Sequence, residues 1–146
     1  MGVDASVTHT TFFIASILVA ASISGVIIGV SNSMANEIKV KSQVLGDEMA
    51  TAISIVNDPR NMPYEAGVLT VYVKNVGEIS LNYNNIVILI DGVYMDHTAS
   101  VAGGSTTVWG KSAVIEATVA IALGPGDHYV KVVTENGVSD MLYFRM

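Results

Sequence analysis

The stretch TFFIASILVAASISGVIIGV, residues 11–30, contains no charged side chain, and its reading decides how the rest of the 146-residue chain is understood. Three readings compete for it: a cleaved targeting signal, a core helix and a permanent membrane anchor. No Asp, Glu, Lys or Arg stands between Asp4 and Glu37. The densest apolar part, residues 12–30, is close to the ~20 residues that cross about 30 Å of hydrocarbon at about 1.5 Å per residue. A secretory signal wants a positively charged start and a shorter apolar run, whereas the tail ahead of this stretch has no Lys or Arg and carries only Asp4 as a charge. A core helix that is apolar on every side needs more protein around it than the remaining chain supplies. An uncleaved anchor over residues 10–31 fits best.

Composition points the same way. The chain is 51% hydrophobic with a mean hydropathy of +0.51, too apolar for an ordinary soluble domain unless part of it lies in lipid. A net charge of −6 argues against nucleic acid as a partner, because neutralising phosphates needs clustered Lys and Arg. The absence of Cys excludes disulfides, Cys-ligated zinc, iron–sulfur clusters and thiol catalysis.

Within the span, Ala21, Gly25 and Gly29 recur every fourth residue and form a small-residue groove that lets a second helix approach. Gly and Ala are also common in membrane helices generally, so the groove is a candidate and no more. The opening MGVDAS fits a myristoylation pattern, but a chain that already spans the membrane gains little from an acyl chain. Lys39 and Lys41 flank the far end of the span and no Lys or Arg precedes it. Taken literally, the positive-inside rule keeps the large domain in the cytoplasm, on the strength of two residues.

Beyond the span, Ile38, Leu45, Met49, Ala52 and Val56 fall at helical spacings with Lys41, Asp47 and Glu48 largely between them. The spacing predicts that the helix continues as a stalk over residues 32–57, giving one rod of roughly 50 residues and about 75 Å. Its stripe of Ile38, Leu45, Met49 and Val56 can seat against the domain's own surface or against a partner helix, and a projecting rod with little of its own protein to cover it favours the partner. Asn57-Asp58-Pro59 ends the helix, and a polar linker over residues 58–66 precedes a second domain at residues 67–146.

There the period changes from helical to alternating. Leu69, Val71 and Val73 alternate with Thr70, Tyr72 and Lys74, as in a half-buried strand. Residues 86–90 form a continuous apolar run that turns at Asp91-Gly92 into Val93-Tyr94-Met95, a predicted hairpin. Another strand covers residues 113–123, and residues 128–134 pair through Asn136-Gly137 with residues 138–144. About six or seven short strands with such turns predict an immunoglobulin-like β-sandwich. The fold class is therefore α+β, a long N-terminal transmembrane helix followed by an all-β sandwich.

Nothing in the sandwich reads as catalytic. Asp96-His97 and Asp127-His128 lack the spacing of a zinc site and read as turn decoration. Tyr129 stands where a phosphate loop beginning at Gly124 would want its third glycine. No catalytic, cofactor or metal residues are assigned. The glycine-rich loop at residues 103–111 carries the one Trp, Trp109. It is either an interface anchor or a side chain folded back over the end of its own sandwich.

Several stretches resemble the archaeal flagellar (archaellar) FlaG family: SVTHTTFFIASILVAASISGVIIG at residues 6–29, IVNDPRNMPY at 55–64, LTVYVKNVGEISL at 69–81, IVILIDGVY at 86–94 and LGPGDHYVKVVTENGVSD at 123–140. The related FlaF family is similar in plan. The resemblance implies a non-enzymatic stator part of the archaellum motor, set in the cytoplasmic membrane with its sandwich outside, beneath the surface layer. It also implies FlaF as partner and, through FlaF, the surface-layer protein. That orientation opposes the two-lysine count, and the family is followed. A competing class is a pilin-like filament subunit, whose helices self-associate into a fibre core. Against it, no basic residue precedes the apolar stretch for a pilin-type peptidase to recognise.

Overall fold

The computed structural model of the chain describes residues 2–104 and 108–146, with side chains from residue 6 onward. Among the described residues one α-helix, α1 (Gly2–Ala50), is followed by nine strands, with a short 3-10 turn at Tyr83–Asn85 between the third and fourth: β1 (Ile53–Ile55), β2 (Tyr64–Glu65), β3 (Val68–Asn75), β4 (Val87–Ile90), β5 (Val93–Met95), β6 (His97–Val101), β7 (Val114–Ala120), β8 (Asp127–Val133) and β9 (Ser139–Arg145). The compact units are Met1–Gln43 and Val44–Met146, so the last residues of α1 belong with the strands.

The helix stops seven residues short of the sequence expectation. TAISIV at residues 51–56 satisfies a helical stripe through Ala52 and Val56, but it also alternates, and its β-branched residues favour a strand. The alternation wins because it has a partner: Ile53 and Ile55 point into the core while β1 pairs antiparallel with β3, Ile53 opposite Asn75 and Ile55 opposite Val73. The expected linker over residues 58–66 is likewise part of the sheet. Asp58 caps a turn by accepting from the Arg60 N–H at 2.9 Å, Met62 is buried, and β2 pairs with β3 through Tyr64 and Leu69. Between β1 and β2, the Asn57 side chain replaces the missing ladder. Its Oδ1 accepts from Tyr72 N–H at 2.7 Å and its Nδ2 donates to the Thr70 carbonyl at 3.0 Å. The two short strands are therefore one edge strand broken by the Asp58-Pro59 turn.

All pairings are antiparallel, and the strands form two sheets, β1-β3-β7-β6 with β2 also on β3, and β5-β4-β8-β9. Labelled A to G, with β1 and β2 as a broken A, this is the ABED and C′CFG order of an immunoglobulin-like sandwich. The core lies between the inner faces: Leu69, Val71 and Val73 of β3 and Ile115, Ala117 and Val119 of β7 against Ile88 and Ile90 of β4 and Val130 and Val132 of β8. The β4–β5 hairpin turns where expected. Asp91 and Gly92 both have positive φ, 51° and 83°, as a two-residue turn matching the strand twist requires.

Candidate anchor and interaction surfaces

The helix can serve as an anchor by its chemistry as well as its length. Four of its hydroxyl side chains are satisfied locally: those of Thr10, Thr11 and Ser22 donate to the carbonyls of Ser6, Val7 and Leu18 at 2.9, 2.9 and 2.8 Å, and Ser16 donates to Phe12. Such back-bonding hides hydroxyl groups from hydrocarbon. The helix is long and apolar enough to cross a membrane, and every side chain from residue 6 to residue 49 is exposed. Ala21, Gly25 and Gly29 share one face, and a methyl group added at either glycine would meet nothing within 4 Å. Ile38, Leu45 and Met49 also share a helical face and are exposed. Val56 does not join them. It lies beyond β1 with its N–H donating to the Tyr72 carbonyl at 2.9 Å, which removes it from the stalk stripe.

Trp109 is fully buried, so its ring is not offered to a partner. The segment carrying it folds back onto the core. Leu81 and Trp109 exchange backbone bonds of 3.0 and 3.1 Å, and the indole Nε1 donates to the Ala113 carbonyl at 3.0 Å. The buried Asn75 donates to the Trp109 and Ile79 carbonyls at 3.1 and 2.8 Å, which fixes both loops at once. Residues 105–107 of the glycine-rich loop lie outside the described residues. The placement of Trp109 rests on Asn75 and Leu81, distant in sequence, so no local signal announces it.

His97 opens β6, in place of the expected turn. His128 opens an ion pair: its Nδ1 lies 2.6 Å from Asp91 Oδ2 and its Nε2 3.0 Å from the Gly124 carbonyl. Both ring nitrogens face acceptors, so only the doubly protonated imidazolium satisfies both. The Asp91 carboxylate, then the Gly124 carbonyl, hold His128 above the ordinary 6.5, and His128, then the Tyr129 N–H, hold Asp91 below 3.8. A raised histidine contributes stability that is whole below 6.5 and lost as pH climbs through its folded value. The lowered carboxylate contributes stability that is whole above 3.8 and lost as pH falls through its folded value. Thermal melts of the full chain across pH are expected to lose stability as pH rises above 6.5, and His128→Gln to flatten that limb. Parallel pH profiles for the two proteins would show that the pair is not its source.

The outer faces of the two sheets differ in kind. On the β1-β3-β7-β6 sheet the outward rows are hydroxyl-rich and charged: Thr70, Thr118 and Thr98 in one, Tyr72, Glu116 and Ser100 in the next. On the other sheet the row Tyr94, Leu89, Lys131 and Met141 runs across all four strands. Tyr129 and Tyr143 lie to one side of it with ring centroids 5.8 Å apart, and Val87 and Val133 to the other. Tyr143 is 70% exposed and Tyr94 57%. Sequence reading did not single out this face. Its signal was present in VILI at residues 87–90 and MLYF at 141–144, strands apolar in both phases.

The chain is similar along its length to a flagella-related protein G of Methanocaldococcus jannaschii, 24% identical over 145 residues, covering 95% of this chain and 94% of the relative. Its fold is similar to that of the archaellum periplasmic stator protein FlaG of Sulfolobus acidocaldarius, with a TM-score of 0.50 at 16% identity over 64% of this chain and 99% of that one. A structure of the periplasmic stator complex of FlaF and FlaG from the same organism aligns at a TM-score of 0.48 and 16% identity, covering 63% of this chain and 87% of that one. The family model for archaeal-type flagellin matches residues 6–144, and the chain therefore belongs to the archaeal-type flagellin family.

Proposed function

We propose that this protein is a non-enzymatic, single-pass stator subunit of the archaellum motor. The helix anchors it in the cytoplasmic membrane, and the sandwich lies outside, beneath the surface layer, where it binds a FlaF-like protein and through it the surface-layer protein. The observation that carries this reading is the end-to-end likeness to flagella-related protein G, which takes in helix and sandwich together. The physics is compatible: a stator holds against torque without chemistry, which needs an anchor, a folded head and a stiff element bundled with neighbours. The faces of Ala21, Gly25 and Gly29 and of Ile38, Leu45 and Met49 are the proposed packing surfaces for a homo-oligomer in the membrane.

A second reading, a filament subunit assembling through the same helix, is favoured by the match to archaeal-type flagellin. One preparation separates the two: the tagged full-length chain from gently solubilised native membranes, with mass spectrometry of its N-terminus and of co-purifying proteins. The stator reading expects Met1 or Gly2 retained, FlaF and surface-layer protein recovered, and a smaller assembly when Gly25 and Gly29 are both replaced by Leu. A trimmed N-terminus in a sheared extracellular fibre makes it a filament subunit.

A further inference from the structure

We infer that the outer face of the β5-β4-β8-β9 sheet is the seat of a protein partner, one that presents an apolar surface bearing a carboxylate to Lys131. This rests on the reading of the sandwich as a binding head and says where and by what chemistry it binds. On this face the outward residues of the strand centres are apolar or aromatic apart from Lys131, namely Val87 and Leu89 of β4, Tyr94 of β5, Tyr129 and Val133 of β8, and Met141 and Tyr143 of β9, whereas the outward rows of the other sheet carry Thr70, Thr98, Ser100, Glu116 and Thr118. Tyr and Met, enriched in interface cores, ring its centre. Tyr94 and Tyr143 stand well exposed at opposite sides, and Leu89 and Met141 flank Lys131 directly in register.

The lysine selects the occupant. Among the described residues the half-buried Lys131 has no carboxylate within ion-pair distance; Lys39, Lys41, Arg60 and Lys74 share that lack, and what sets Lys131 apart is its place in register between Leu89 and Met141 on the apolar face. Covering the face would strip water from an unpaired ammonium group, a penalty that a carboxylate on the incoming surface offsets. A second copy docking face to face would set Lys131 near its symmetry mate, charge against like charge. A chain of net charge −6 is also poorly matched to an anionic lipid surface.

Size decides the setting of the test. Four strands about 4.8 Å apart and some 20 Å long present roughly 400 Å², about half of what each side of a standard interface buries. The contact is expected to be weak between free domains and strengthened when both partners are held in one membrane. Tagged full-length chain in native membranes is therefore treated with a zero-length carbodiimide, which joins an amine only to a carboxylate in contact with it, and the linked peptides are sequenced.

The expected product joins Lys131 to an Asp or Glu of a different protein. Lys131→Glu and, separately, Tyr143→Glu are each expected to lower recovery of that protein at least tenfold, while Lys74→Glu on the opposite sheet leaves it unchanged. An unaltered near-ultraviolet signal from Trp109 confirms that the variants fold. Full recovery with both face variants overturns the assignment of the face and leaves the stator reading standing. Linkage of Lys131 to a second copy of this chain, or loss of lipid-vesicle binding as the sole effect of both variants, also overturns it. Wild-type chain that recovers no protein partner at all overturns the functional reading together with the face.

Discussion

Trp109→Ala is expected to destabilise the sandwich by about 3–5 kcal/mol, the range for truncating a large aromatic in a packed core. That is a large share of the roughly 5–15 kcal/mol that holds an average domain folded. The ring is fully buried among side chains from both sheets. Trp109→Phe is expected to cost much less. The Ala113 carbonyl that accepts from the indole also accepts from the Asn75 N–H at 3.0 Å, so it is not orphaned when the indole goes. Urea denaturation of the full chain reads the difference as a lower midpoint at unchanged slope for Ala and a small shift for Phe. A Trp acting as an interface anchor would give the reverse, an unchanged midpoint with loss of partner. That outcome would contradict the burial of the ring.

Trp109 also marks where sequence reading stops. Features set by neighbours in the chain were legible: the uncharged span, the alternating period of the strand that begins at Val68, and the Asp91-Gly92 and Asn136-Gly137 turns. Features set by distant partners were not. Residues 51–56 fit a helix and a strand equally well, and the open edge of β3 chose between them. The broken edge strand depends on Asn57 reaching Thr70 and Tyr72, a contact invisible as a local pattern. The apolar outer face was hidden for a related reason. When both phases of a strand are apolar, as in residues 87–90, alternation cannot say which phase is covered, and only the other sheet settles it.

Gly77→Ala and Gly77→Val are expected to destabilise the sandwich almost equally, by about 3 kcal/mol, because the obstacle is met by the first carbon added. A Cβ at this position would stand 2.6 Å from the Ala50 carbonyl oxygen, 2.6 Å from the Ala52 nitrogen and 3.2 Å from the Thr51 carbonyl carbon. All three are backbone atoms, so no side chain can swing aside. The same loop supplies donors to the last carbonyl of α1 and to one just beyond it: Glu78 N–H to Ala50 at 2.8 Å, and Val76 and Gly77 N–H to Ala52 at 2.9 Å each. Thr51 completes the clamp, donating to the Asp47 carbonyl at 2.6 Å and accepting from Asn136 Nδ2 at 2.7 Å. Prying the loop away to admit a methyl group therefore forfeits hydrogen bonds as well as packing. For a unit of this size the loss corresponds to a melting temperature lower by on the order of 10–20 °C, read by thermal denaturation of the full chain in detergent. Val falling far below Ala would place the obstacle further out than the Cβ. A change under about 3 °C for Ala would mean that the loop yields. On the stator reading proposed above, the clamp ties the end of the helix to the loop that follows β3, a route by which load on the helix would reach the sheet. Gly77→Ala is then expected to impair swimming at temperatures where the protein is still folded and present in the membrane at normal levels, and full motility under those conditions would remove the clamp from the path of the force.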